Sequence, residues 1–161
     1  MKTVKIVLVG IGGYGTNYVR ALLAGGGKYP YEIAGAVDPF PKSCPLYDEL
    51  VKENIPMYET LEQFYEVSDA NLAIISSPIQ FHASQTKLAL ANGSQVLCEK
   101  PLCATLEEAD EMIEARDQTE QFVAIGYQWS YSSVIQQLKA DIQQGVLGKP
   151  KRFKTIVLWP R

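Results

Sequence analysis

The sequence predicts a doubly wound α/β fold, a parallel sheet with helices on both faces, and three observations carry that prediction. Short apolar runs alternate with amphipathic stretches along most of the 161 residues. The runs at 4–9, 33–37, 72–75, 95–98 and 122–125 are nearly continuous in apolar residues, as strands covered on both faces require. The first run leads directly into Gly10-Ile11-Gly12-Gly13-Tyr14-Gly15, whose glycines stand at the three positions that turn a buried strand sharply into a helix. Repeated βα alternation in one sheet winds through right-handed crossovers into a Rossmann-type architecture.

The elements follow in order. Residues 4–9 form the first strand, and a helix over 14–24 stops at Gly25-Gly26-Gly27. A second strand over 33–37 ends at Asp38. A short helix over 46–53 and a brief strand over 56–58 precede Thr60-Leu61-Glu62-Gln63, a capping box that opens another helix. Leu72-Ala73-Ile74-Ile75 reads as a central strand. A helix over 81–92 ends at Gly93, and 95–98 is the fifth strand. Thr105-Leu106-Glu107-Glu108 is a second capping box, with Leu106, Ala109, Met112 and Ile113 as the buried stripe of its helix. Residues 122–125 form the sixth strand, and Ser133 opens a helix that ends at Gly145. After Gly148-Lys149-Pro150, residues 152–159 read as one more strand, which wants partners on its edges and one face. The expected division is a dinucleotide-binding domain over 1–126, a connecting helix and loop over 127–150, and the first strand of a truncated α+β domain over 151–161.

Composition narrows the function. A net charge of −3 without a basic block argues against nucleic acid as a partner. No apolar run is long enough to span a membrane. The lysines before the first run imitate a signal peptide, but Gly10, Gly12 and Gly13 break that run. Cys44, Cys98 and Cys103 are odd in number and form no C-x-x-C pair, which fits a reduced, cytoplasmic setting. A single histidine without clustered cysteines or carboxylates argues against a zinc site, and no G-x-S-x-G elbow suggests a hydrolase.

Each residue of the glycine turn answers a physical need. Gly10 permits the turn, Gly12 lets a pyrophosphate approach the backbone, and Gly15 lets the helix pack close to the strand. The helix N-terminus offers N–H donors to the phosphates. Asp38, 23 positions after Gly15, stands where a carboxylate accepts hydrogen bonds from an adenosine ribose and repels a 2′-phosphate. NAD is therefore the expected cofactor and NADP the lesser alternative, with Lys42 as a cation that blurs the preference. The competing role for Asp38 is to start the turn Asp38-Pro39-Phe40-Pro41. Ligands of such sheets bind beyond the carboxyl ends of the strands. Those ends carry Ser76-Ser77-Pro78 followed by His82, then Glu99-Lys100-Pro101, then Gly126-Tyr127-Gln128-Trp129. From spacing alone, Lys100 is equally a solvated lysine paired with Glu99, and His82 equally a packed residue at a helix start.

Taken together, these residues resemble the Gfo/Idh/MocA oxidoreductase family. Four landmarks match in order: the glycine turn, Asp38, the serine–proline turn with His82, and Glu99-Lys100-Pro101. Residues 145–150 also look like that family's junction into its second domain. The resemblance spans essentially this whole chain, and the N-terminal half or less of a family member. It implies that the backbone of Gly12, Gly13 and Tyr14 holds the pyrophosphate and Asp38 the adenosine ribose. It implies further that Ser76, Ser77, Pro78 and His82 line the cofactor groove, and that Glu99 holds the nicotinamide-side ribose or orders its loop. Lys100 would face the substrate oxygen as the catalytic residue, and Gln128 would lie near the nicotinamide carboxamide or the substrate. Chemistry agrees for Lys100: oxidation at an alcohol carbon requires loss of the hydroxyl proton, and a cation beside that oxygen stabilises the developing alkoxide. A cis bond before Pro101 would aim that lysine.

Two departures stand out. Trp129-Ser130-Tyr131 stands where many relatives carry an arginine or phenylalanine-type pattern, and the family's second proton-handling residue falls beyond Arg161. The resemblance thus implies the cofactor-binding part of an NAD(P)-dependent oxidoreductase acting on a carbinol or carbonyl carbon of a sugar, polyol or similar small molecule. Such a part binds NAD but turns over little by itself, and the full-length protein is a homo-oligomer. The rival reading is a stand-alone NAD-binding or sensing module without catalysis, its final strand pairing with another chain.

Overall fold

The computed structural model describes residues 2–25, 30–154 and 156. The chain divides into two compact units, one ending at Gly126 and the other beginning at Tyr127. Among the described residues the first unit holds six strands: β1 (Val4–Val9), β2 (Tyr31–Val37), β3 (Met57–Tyr58), β4 (Leu72–Ile75), β5 (Gln95–Cys98) and β6 (Val123–Ile125). Its helices are α1 (Gly15–Ala24), α2 (Tyr47–Lys52), α3 (Leu61–Val67), α4 (His82–Ala91) and α5 (Leu106–Asp117). All strand pairs are parallel, in the order β3-β2-β1-β4-β5-β6. The order reverses between β1 and β4, which places a crevice at the carboxyl ends of these two strands.

Alternating side chains feed two cores. Along β1, Val7 and Val9 enter a cluster with Phe64, Ile75, Leu90 and Val96. Ile6 and Leu8 enter another with Ile11, Val19, Leu50 and Ile74. This two-sided burial is why the strands read as continuous apolar runs. The β1–β2 register shifts between Ile6 and Val7, which pair with Ile33 and Gly35. A Cβ at Gly35 would stand 2.9 Å from Tyr58 Cε2 and 3.0 Å from Phe64 Cδ2, so glycine makes room for the Phe64 ring.

Sheet register brings the candidate residues to one edge. Gly10 N donates to Val37 O, Ser76 N to Val9 O, Glu99 N to Ile75 O and Gly126 N to Cys98 O, each at 2.8 Å. Asp38 N donates to Tyr58 O at 2.9 Å. The residues that follow five different strands therefore share the crevice edge.

The Thr105 cap is a complete box: Thr105 Oγ1 accepts from Glu108 N at 3.2 Å, and Glu108 Oε2 accepts from Thr105 N at 3.2 Å. At Thr60 the reciprocal bond is displaced. Gln63 N donates to Thr60 Oγ1, but the Gln63 side chain accepts from Glu59 N instead of Thr60 N.

The expected stripe of α5 is only partly right. Met112 is buried and Ala109 half-buried, but Leu106 is 81% exposed and Ile113 46%. Leu106 and Ile113 lie seven positions apart and share a face. The face toward the core runs through Ala109, Met112 and Ala115, with Ala115 packed on the first core. Small alanines flanking Met112 let α5 pack close, and the larger apolar residues fall outside that contact.

The second unit contains a 3-10 helix (Gln128–Tyr131) and α6 (Ser133–Gln143). Inside it, the Gln136 side-chain Nε2 donates to the Ser130 carbonyl. The strand expected over 152–159 is absent from its described part, since residues 152–154 and 156 carry no strand. A ladder needs a hydrogen-bonded neighbour, and among the described residues no strand pairs with them. Thr155 and residues 157–161 lie outside the described residues, as do Gly26 and Gly27. Among the described residues, no helix is long and apolar enough to cross a membrane.

Candidate functional site

The glycine turn is built as its sequence demands. Gly10 has φ +78°, and a Cβ there would stand 2.6 Å from Ser77 N. A Cβ at Gly15 would collide with the Gly10 carbonyl, so α1 starts pressed against the turn. Ser76 Oγ donates to Gly10 O at 2.7 Å and ties the end of β4 to that turn. At Gly13, with φ +50°, a Cβ would meet open space.

Asp38 serves two ends of its loop. Oδ2 accepts from Ile11 N at 3.0 Å and from Gly12 N at 3.4 Å, while Oδ1 accepts from Phe40 N at 2.8 Å. The last bond is the turn-starting role that the sequence left open. The first two join the tip of β2 to the glycine turn, so the carboxylate stands beside the groove in either reading.

That groove has a volume of about 830 Å³. Gly10, Gly12, Gly13, Tyr14, Asp38, Ser76, Ser77 and Pro78 line it. Phe40, Phe81 and Gln85 line it too, and sequence reasoning missed these three. Gln85 Oε1 accepts from Ser77 Oγ at 2.5 Å. Among the described residues the amides of Gly13 and Tyr14 have no protein acceptor. A lined groove, two unpaired amides at the start of a ten-residue helix and a carboxylate at the strand tip fit a dinucleotide. Lys42 does not line this groove; it borders a separate depression with Cys44, Pro45, Tyr47 and Asp48.

His82 sits beneath the groove wall, 2% exposed. Its Nε2 stands 2.9 Å from Ser77 O and its Nδ1 2.9 Å from Pro101 O. The ring thus bridges the segments that follow β4 and β5 and does not line the groove itself.

Glu99 is 6% exposed. Its Oε1 accepts from Tyr18 Oη at 2.5 Å and its Oε2 from Lys100 N at 3.1 Å. No ion pair to Glu99 forms among the described residues. The Lys100 side chain therefore does not pair with Glu99, as the simpler reading supposed. It is exposed, and its Nζ lies 5.8 Å from the centroid of the Tyr14 ring, within cation–π range. The Lys100–Pro101 bond is cis. Burial, then the bond to Glu99, holds the Tyr18 phenol far above its ordinary range, so it stays a donor. Tyr18 carried no local signal: its partner lies 81 positions away. Gln128 belongs to the second unit, exposed at the first position of the 3-10 helix.

The family model described as "Oxidoreductase family, NAD-binding Rossmann fold" (Gfo/Idh/MocA) matches residues 4–127. The chain belongs to the Gfo/Idh/MocA oxidoreductase family. Its matched residues are that family's NAD-binding Rossmann domain. The chain is 30% identical over 148 residues to the rhizopine catabolism protein MocA of Rhizobium meliloti, covering 92% of this chain and 45% of that protein. It is 32% identical over 94 residues to a D-xylose 1-dehydrogenase [NADP(+)] of Haloarcula marismortui, covering 56% of this chain and 26% of that protein. Scyllo-inositol dehydrogenase from Lactobacillus casei, solved with bound NAD(H) and scyllo-inositol, shares the fold with a TM-score of 0.76. That match has 22% identity and covers 91% of this chain and 43% of the other. The chain thus spans less than half the length of these Gfo/Idh/MocA relatives.

Proposed function

We propose that this Gfo/Idh/MocA chain is the cofactor-binding part of an NAD-dependent dehydrogenase that acts on a carbinol carbon of a sugar, polyol or similar small molecule. The observation that carries the reading is the placement of Lys100: exposed, unpaired with Glu99, and next to the tyrosine that lines the groove. In this reading the backbone of Gly12, Gly13 and Tyr14 holds the pyrophosphate, with the unpaired amides of Gly13 and Tyr14 as donors, and Asp38 holds the adenosine ribose. Ser76, Ser77 and Pro78 wall the groove, with His82 bracing that wall. Glu99 orders the lysine loop. Bound NAD supplies the hydride acceptor. Lys100 Nζ faces the substrate oxygen, stabilises its developing negative charge and exchanges its proton.

The domain assignment goes with it: 1–126 binds cofactor, 127–150 connects, and 151–161 begins the next domain. The family match ending at residue 127 and the compact unit ending at Gly126 support this division. We place the protein in the cytoplasm as a homo-oligomer; its three free thiols suit a reduced compartment. The Asp38 carboxylate and the position of Lys42 away from the groove favour NAD over NADP.

The test is a titration of this chain with NADH and NADPH, followed by nicotinamide fluorescence. Saturable binding with NADH tighter is expected; tighter NADPH binding overturns the cofactor preference. In the protein carrying its remaining domain, Lys100→Ala is expected to abolish turnover while NADH still binds. Unchanged turnover removes Lys100 from the mechanism.

A further inference from the structure

Among the described residues the buried Glu99 carboxylate has no cationic partner, an arrangement that costs free energy unless hydrogen bonds hold it. Two do. One comes from Tyr18 Oη on α1 at 2.5 Å, the other from the Lys100 amide at 3.1 Å. Gly126 closes the remaining side. A Cβ there would stand 2.8 Å from Glu99 Oε1 and 2.9 Å from Cδ, so the carboxylate fills the space a side chain would occupy. Tyr18 is also joined to the groove. Its ring meets that of Tyr14 edge-on, with centroids 6.2 Å apart and planes at 71°, and Lys100 Nζ lies over Tyr14. The glycine turn and the helix it opens thus reach both ends of Lys100: its backbone through Tyr18 and Glu99, its ammonium through Tyr14.

We propose that Tyr18 is a positioning residue, which through Glu99 fixes where Lys100 stands relative to the glycine turn. The proposal rests on the reading of Lys100 as the proton-handling group. Tyr18 itself does not line the groove. Its hydroxyl acts on the carboxylate; the carboxylate acts on the Lys100 amide.

The experiment compares the wild-type chain with Tyr18→Phe, which removes one oxygen. Two readouts are used: the Lys100 amide resonance in a 15N-edited spectrum, and modification of Lys100 by pyridoxal phosphate with borohydride, mapped by mass spectrometry. Exposed Lys139 on α6 is the internal control. The Lys100 amide is expected to shift and its labelling to change several-fold, while Lys139 and the amides of β1 stay as they were. An unmoved Lys100 amide with unchanged labelling, in a folded variant, overturns the proposal. Should Tyr18→Phe fail to fold, Gly126→Ala addresses the same link from its other side. The added methyl displaces the Glu99 carboxylate, and the same change at Lys100 is expected; no change overturns it. NADH binding is measured alongside. If the wild-type chain binds no NADH, the dehydrogenase reading fails, while the Lys100 response still decides the role of Tyr18.

Discussion

Asp38 Oδ2 accepts a hydrogen bond from the backbone N–H of Ile11 at 3.0 Å, so the tip of β2 and the glycine turn of β1 share one carboxylate. In the proposed reading the same side chain also binds the adenosine ribose, so it would shape the site twice. Asp38→Ala removes both functions. NADH affinity is expected to fall about 10- to 100-fold, the worth of a charge-assisted hydrogen bond. NADPH affinity should fall less, because the repulsion of its 2′-phosphate goes too. Parallel titrations with the two cofactors check this.

Glycines with left-handed backbone differ in what surrounds them, and this separates strain from collision. Gly93 has φ +78° with nothing near its Cβ position, so Gly93→Ala should cost about 1 kcal/mol from the dihedral alone. Gly10 has the same φ, but its Cβ meets Ser77 backbone at 2.6 Å. Gly10→Ala should therefore cost on the order of 2–5 kcal/mol. Urea denaturation of the two variants provides the comparison.

His82→Ala leaves the carbonyls of Ser77 and Pro101 without the ring that faces them at 2.9 Å, and empties a buried site. A loss of on the order of 2–5 kcal/mol is expected. The variant should also bind NADH more weakly, since Ser77 lines the groove. A loss of stability with full NADH affinity would mean that the ring braces the core and not the wall.

Stability should fall in alkali. Burial pushes the Cys98 thiol up to about 12, from 9.0 in an unfolded chain. Below the unfolded value both states keep the proton and the stability is fully present. Between the two values only the unfolded chain releases it, so stability declines as pH rises. The buried Tyr65 phenol, raised chiefly by desolvation, adds to the same trend. Denaturation midpoints at about pH 8 and about pH 10.5 should differ, and the difference should shrink in Cys98→Ala. Thiol alkylation of the native chain should mark Cys103, while buried Cys44 and Cys98 stay unmodified.

Much of the sheet was legible because its signals are local. Continuous apolar runs, the glycine turn and the two capping threonines act within a few residues of themselves. Asp38, Ser76 and Glu99 were found for the same reason, as polar residues where an apolar strand stops. Other features depend on distant partners. The face of α5 that turns inward is chosen by its fit on the core, so Leu106 and Ile113 remained outside while Ala109 and Ala115 turned in. Nothing near Tyr18 in sequence announces Glu99. Lys42 looked like a groove residue because it follows Asp38 closely, but the 3-10 helix Pro41–Ser43 carries it toward α2 and the depression beside Tyr47.

One imidazole spans the segments after β4 and β5. The wall that Ser77 forms and the strand end that presents Lys100 are therefore not two independent parts. The ring stands 2.9 Å from both Ser77 O and Pro101 O, so one buried side chain acts as the spacer between the groove wall and the strand end that carries Lys100.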